Sequence, residues 1–258
     1  MKFQLLPSTF DENGSASPRQ HLSCFIINDS VAIDAGSLAM GTSFEQKQKI
    51  RHVVLTHAHL DHIAGLPLFL DDLFATLTEQ VKIYAERAVI EILERDIFNW
   101  DIYPRFSELS NENGAIMEYI AFERGREFCV GGLRFVAEGV NHKVPAVGFI
   151  VSDGKNSFAI SSDTAEMDEF WQTVNKAKNL NALLIECAFP DEFEELARVS
   201  HHLTPKILQS EIEKFEHTDC PIFAINLKPM YRDEIVAQIQ KLNIKNLTVL
   251  DVGKIYNW

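Results

Sequence analysis

Cysteine is scarce in this chain and widely scattered. Cys24, Cys129, Cys187 and Cys220 make no C-x-x-C pair, so the four read as reduced, mostly core residues rather than as metal or catalytic groups. Positive charge is also short: 24 Lys and Arg against 37 Asp and Glu leave a formal net charge of −13. That balance disfavours a long nucleic-acid partner, because such affinity comes largely from neutralised phosphates. A small anion needs only a local positive site, which bound metal ions supply. No apolar run approaches membrane-spanning length. The opening MKFQLLPSTF is a short strand-like run with a proline and lacks the apolar region of a signal peptide. These absences predict a cytoplasmic protein with no membrane partner. Repeats, low-complexity tracts and Gly/Ser linkers are missing too, which favours a single domain over residues 1–258.

What is present suits a packed α/β protein. Hydrophobic residues make up 46% of the 258 and charged residues 24%, enough for a large core. Residues 2–6 read as a strand, 11–20 as a loop, and 23–28 with 31–35 as a hairpin about Asp29-Ser30. Residues 45–50 read as a short helix. Later come a strand at 81–84, a helix at 86–98, an irregular segment at 98–122, and hairpins at 128–135 and 146–161 turning at Gly131-Gly132 and Asp153-Gly154. The remainder alternates: helix 167–178, strand 182–187, helix 204–215, strand 222–225, helix 230–242, and a last strand near 247–251. A hairpin-rich half followed by an alternating half fits two mixed sheets covered by helices.

One stretch carries the chemistry: RHVVLTHAHLDHIAGLPLFL, residues 51–70. Its β-branched run at 53–56 reads as a buried strand that empties into His57, His59, Asp61 and His62, followed by Gly65, Pro67 and a helix. Imidazole and carboxylate are the ligands that a borderline cation such as zinc prefers. Side chains at i and i+2 share a face, so His57 and His59 can grip one ion. Asp61 and His62, past the bend, can face a second.

The pattern His-x-His-x-Asp-His resembles the signature of the metallo-β-lactamase superfamily, in a form similar to its class II cyclic-nucleotide phosphodiesterases. The likeness extends to Ile97-Phe98-Asn99 with Tyr103-Pro104, to Leu184-Ile185-Glu186-Cys187-Ala188-Phe189-Pro190, and to His202-Leu203-Thr204-Pro205, where His201 stands in a family glycine's place. It spans roughly Ser23 to Tyr231. The resemblance implies a four-layer αββα sandwich and two divalent ions, zinc first, with manganese or iron at the second position. It implies His142 as the third imidazole of the first ion and Asp163 as the bridging carboxylate. In the stretch PIFAINLKP the chain departs from the family, placing Asn226 where a ligand histidine is expected. Asn oxygen is a weaker ligand, so the second ion is expected to be looser, or to recruit His201.

The resemblance implies hydrolysis of a 3′,5′-cyclic nucleotide to the 5′-monophosphate by metal-activated water. Asp61 would orient the nucleophile and His202 would protonate the leaving 3′-oxygen. Lys228 and Arg232 are candidates to offset phosphorane charge, and Trp100, Tyr103 and Phe106 are candidates to stack on a base. Three alternatives stand beside this: a tRNA 3′-end endonuclease, another hydrolase of the superfamily, and a degenerate nucleotide-binding sensor. The sequence leaves the oligomeric state open between monomer and homodimer.

Overall fold

The structure of the protein, a computed structural model, describes residues 1–258. The chain forms two compact units, the first of residues 1–18, 22–123 and 252–257, the second of residues 19–21, 124–251 and 258.

The first unit is built on a seven-stranded mixed sheet. β1 (Lys2–Leu5), β2 (Phe25–Ile27) and β3 (Val31–Ile33) pair antiparallel, while β4 (His52–Val54) and β5 (Val81–Ala85) run parallel beyond β3. Ser110–Asn111 (β6) and Gly114–Ala115 (β7) form a separate small hairpin, and β8 (Met117–Ala121) adds to β5 in parallel. The short helices α1 (Leu38–Gly41) and α2 (Phe44–Lys47) follow β3, with Ser43 and Gln46 completing a capping box on α2. α3 (Leu60–Ile63) and α4 (Leu66–Leu73) follow β4, and α5 (Arg87–Ile92) follows β5. Leu66, Phe69, Leu70 and Leu73 repeat at helical spacing, so α4 buries one face in the core beneath the sheet. The expected helix over 86–98 widens into a π-turn at Leu93–Ile97.

Two elements of this unit depart from the sequence reading. β8 lies inside the segment read as irregular; only Met117 of its five residues is fully buried, so no alternation marks it. The strand near 247–251 is not the last, because Ile255–Asn257 follows and pairs with β1. Those three residues are exposed or half-buried and give no apolar signal.

The second unit has its own seven-stranded sheet. β9 (Glu127–Val130), β10 (Leu133–Gly139), β11 (Val147–Ser152) and β12 (Ser157–Ile160) are joined antiparallel. β13 (Leu180–Glu186), β14 (Ile222–Ile225) and β15 (Leu247–Val249) then continue parallel. The β9–β10 turn uses Gly131 and Gly132 at φ 55° and 82°, the paired positive φ that a tight hairpin requires. Helices α6 (Glu169–Val174), α7 (Glu194–Ser200), α8 (Pro205–Ile212) and α9 (Arg232–Lys241) fill the crossovers. α7 has no counterpart in the sequence reading, since Ala197 is its one buried residue. Buried Glu211 ties α8 to α6, accepting hydrogen bonds from Met167 N and Trp171 Nε1, with Lys214 Nζ at 2.8 Å.

Candidate metal centre

In the first unit the motif sits where β4 gives out. His59 caps α3, and Asp61 and His62 lie on that one-turn helix. The turn is seated by backbone hydrogen bonds to the tail of β3 and to the approach to β2: Ala35 N donates to His62 O and Ser23 N to Asp61 O. Gly36 makes this approach possible, because a Cβ there would stand 1.9 Å from Asp61 O. Gly65 faces Ala35 O in the same way, at 2.6 Å from its would-be Cβ. The glycines are needed for close backbone contact, and that contact fixes the turn that carries Asp61 and His62.

The rings gather tightly. The His57 centroid lies 4.8 Å from that of His59 and 4.1 Å from that of His62. Behind them is Asp34, buried and at a left-handed φ of 59°. Its carboxylate accepts from His62 Nδ1 at 2.7 Å, from Thr56 N at 2.8 Å and from Thr56 Oγ1 at 2.9 Å. Having donated to Asp34, the Thr56 hydroxyl accepts from His57 Nδ1 at 3.0 Å. Both rings therefore carry the proton on Nδ1 and the lone pair on Nε2. A carboxylate behind an imidazole is the usual support of a metal-ligating histidine. By donor chemistry these imidazoles and the Asp61 carboxylate fit borderline divalent cations. Asp34 and Thr56 had no role in the sequence reading; an aspartate closing the buried strand VAI was the available signal.

In the second unit, the ends of β12 and β13 and the loop after α7 bring together Asp163, Glu186 and His202, each offering a ligand atom within 4.8 Å of the others. Glu186, fully buried, accepts from His202 Nδ1 at 2.8 Å, from Thr164 N at 2.8 Å and from Leu203 N at 3.4 Å. Burial by itself would lower the His202 pKa, but the charge and hydrogen bond of Glu186, with Asp163 adding, outweigh it and raise the value. With Nδ1 turned to Glu186, Nε2 is the ring nitrogen left to face a ligand. The sequence reading gives Glu186 no role of its own; a charged residue ending the apolar run ALLI marks it.

The other predicted residues take less expected positions. His142 Nδ1 donates to the backbone oxygen of His201 at 3.1 Å, again leaving the lone pair on Nε2. His201 is left-handed at φ 57°, which explains a glycine's place there, and its Nδ1 bonds Asn141 Oδ1 at 2.9 Å. It supports His142 rather than standing with Asp163 and His202. Asn226, also left-handed, donates from Nδ2 to Asp163 Oδ1 at 2.6 Å. Lys228 lies near enough for its charge to oppose protonation of His202, and Arg232 opens α9. Phe106 is buried in the core of the first unit with Tyr103 stacked on it, whereas Trp100 is exposed.

The chain belongs to the β-lactamase superfamily: the Beta-lactamase superfamily domain matches residues 31–217. The metallo-β-lactamase fold implies bound divalent metal ions. Over 227 residues it is 24% identical to a probable 3′,5′-cyclic-nucleotide phosphodiesterase of Yersinia pestis, covering 76% of this chain and 64% of the relative. Over 187 residues it is 26% identical to the 3′,5′-cyclic-nucleotide phosphodiesterase of Aliivibrio fischeri, covering 66% and 54%. The chain thus spans less than two thirds of the length of either relative. Among solved structures, unliganded yeast PDE1 superposes with a TM-score of 0.74 at 15% identity, covering 98% of both chains. Human tRNase Z, short form, does so at 0.67 and 15%, covering 100% of this chain and 99% of its own. The expected α/β class and metallo-β-lactamase fold are those observed. No helix is long and apolar enough to cross a membrane.

The support behind the motif histidines is directly testable. Asp34→Asn removes the charge that holds His62 and Thr56, and is expected to weaken metal affinity by about 10–100-fold. Titration of apo protein with zinc would measure it; unchanged affinity would make Asp34 a purely structural residue.

Proposed function

We propose that the protein hydrolyses 3′,5′-cyclic nucleotides to nucleoside 5′-monophosphates. The observation that carries the chemistry is His202 held by Glu186, because an alkoxide leaving group needs a proton and the buried partner favours the protonated ring. The names of the two relatives support the substrate class. The ligand assignment follows the family pattern: His57, His59 and His142 for one ion, Asp61 and His62 for another, with Asp163 shared. Divalent ions, when bound, activate water and polarise a phosphoryl oxygen. The side chains supply the rest. Asp61 orients the attacking water, His202 gives its Nε2 proton to the departing 3′-oxygen, and Glu186 keeps that ring in position. Lys228 and Arg232 offset charge on the phosphorane. Zinc is the proposed first ion, with manganese or iron at the second position.

A net charge of −13 favours a small anion drawn to a locally positive centre over a long RNA. Turnover of cyclic AMP and cyclic GMP with added Zn²⁺ or Mn²⁺, with products separated against 5′- and 3′-monophosphate standards, tests the reading. The expected product is the 5′-monophosphate. Efficient cleavage of precursor tRNA with inert cyclic nucleotides would replace this reading by the endonuclease. Binding without product under either metal would favour a sensor.

A further inference from the structure

His202 stands at one end of a row of aromatic rings within the second unit. Its ring centroid is 5.7 Å from that of Phe189, which is 6.1 Å from Tyr231, which is 4.7 Å from Phe193. The row starts buried and ends in solvent. Phe189 is 8% exposed, Tyr231 is half-buried, Phe193 is 38% exposed, and Met230 beside Tyr231 is 73% exposed. The apolar cluster under the row consists only of Ala188, Phe189 and Ala197, with Tyr231 packed on it. That cluster accounts for Phe189, whereas Phe193 and Met230 leave apolar surface exposed.

The wall carrying these rings is braced from several sides. Lys228 N donates to Ala188 O, linking the two turns that bear the row. Gln238 of α9 accepts from Asp191 N at 2.8 Å and donates to Glu192 Oε2 at 2.7 Å. Arg19 donates to Pro229 O at 2.7 Å and to Asp233 Oδ2 at 2.6 Å, clasping the Pro229–Tyr231 turn. A rigid aromatic surface stacks on a planar ring at little entropic cost.

Resting on the phosphodiesterase reading, we propose that Tyr231 and Phe193, with Met230 at their edge, form the surface that takes the base of the nucleotide. The row's inner end abuts the group proposed to protonate the leaving oxygen. Lys228, whose charge reaches His202, complements the phosphate at that same end. Tyr231 and Phe193 lie two and three ring-to-ring steps out from His202, on the end of the row that reaches solvent. An aromatic face accepts any base by stacking, so this surface explains affinity for a nucleoside more than choice among bases.

The test is calorimetric binding of adenosine 5′-monophosphate and of ribose 5-phosphate, which lacks the base, to wild type, Phe193→Ala, Tyr231→Ala and Tyr231→Phe. Wild type is expected to bind the nucleotide about 10-fold more tightly than the sugar phosphate, as one stacked base provides. Tyr231→Ala and Phe193→Ala should shrink that ratio while leaving ribose 5-phosphate binding unchanged, and Tyr231→Phe should preserve it. Phe193 reaches solvent, so its truncation reports even where Tyr231→Ala unfolds. Equal affinities in wild type, or equal loss of both ligands in Phe193→Ala, would overturn the proposal. Cyclic-nucleotide turnover with no base-dependent ratio would sink the base surface and spare the reaction. A base-dependent ratio that Phe193→Ala removes, without turnover of cyclic nucleotides, would keep the surface and sink the reaction.

Discussion

Replacing His202 by alanine is expected to lower kcat on cyclic AMP by about 10²–10⁴-fold, the usual contribution of a positioned general acid. The reason lies in the pair itself. Glu186 accepts a hydrogen bond from Nδ1 at 2.8 Å, so the proton the ring is expected to give up is the one on Nε2, with no turning of the ring. The substitution leaves Glu186 buried and still held by Thr164 N and Leu203 N, so metal content should stay near normal. A nitrophenyl phosphodiester, whose leaving group barely needs protonation, should be hydrolysed almost as well by the variant as by wild type. Equal losses on both substrates, measured as kcat beside elemental analysis, would make His202 a ligand or a structural residue.

His59→Ala should cost more. His59 ends the extended run into α3 and faces His57 at a centroid distance of 4.8 Å. Losing a ligating imidazole should exceed the about 10–100-fold that loss of a supporting partner costs. The expected result is a clear fall in bound metal per chain by elemental analysis, with hydrolysis falling alongside it. His59 is half-buried, so its truncation should leave the fold intact by circular dichroism. Metal content equal to wild type would remove His59 from the ligand set.

Much of this protein was legible because its signals are local. The four ligand-type residues of the motif lie within six positions at the end of an apolar strand, and i, i+2 spacing needs no knowledge of distant chain. The hairpins at Gly131-Gly132 and Asp153-Gly154 and the parallel strands 182–187 and 222–225 follow from turn chemistry and apolar runs in the same way. Where apolar pattern is weak, as in β8, α7 and Ile255–Asn257, pairing and packing with remote segments decide the structure.

The sequence by itself determined the family, and it named the residues proposed here as ligands and His202 as the proposed acid. The tertiary structure alone decided how those groups are held. Asp34 reaches His62 across 28 positions and Glu186 reaches His202 across 16, through strand ends and loops whose mutual placement no local pattern encodes. Whether Asn226 offers Asp163 its oxygen or its N–H, and whether His201 supports His142 or joins Asp163, likewise depended on two left-handed backbone positions. Residue type sets which bonds a side chain can make; only the folded backbone sets which partner comes within 3 Å of it.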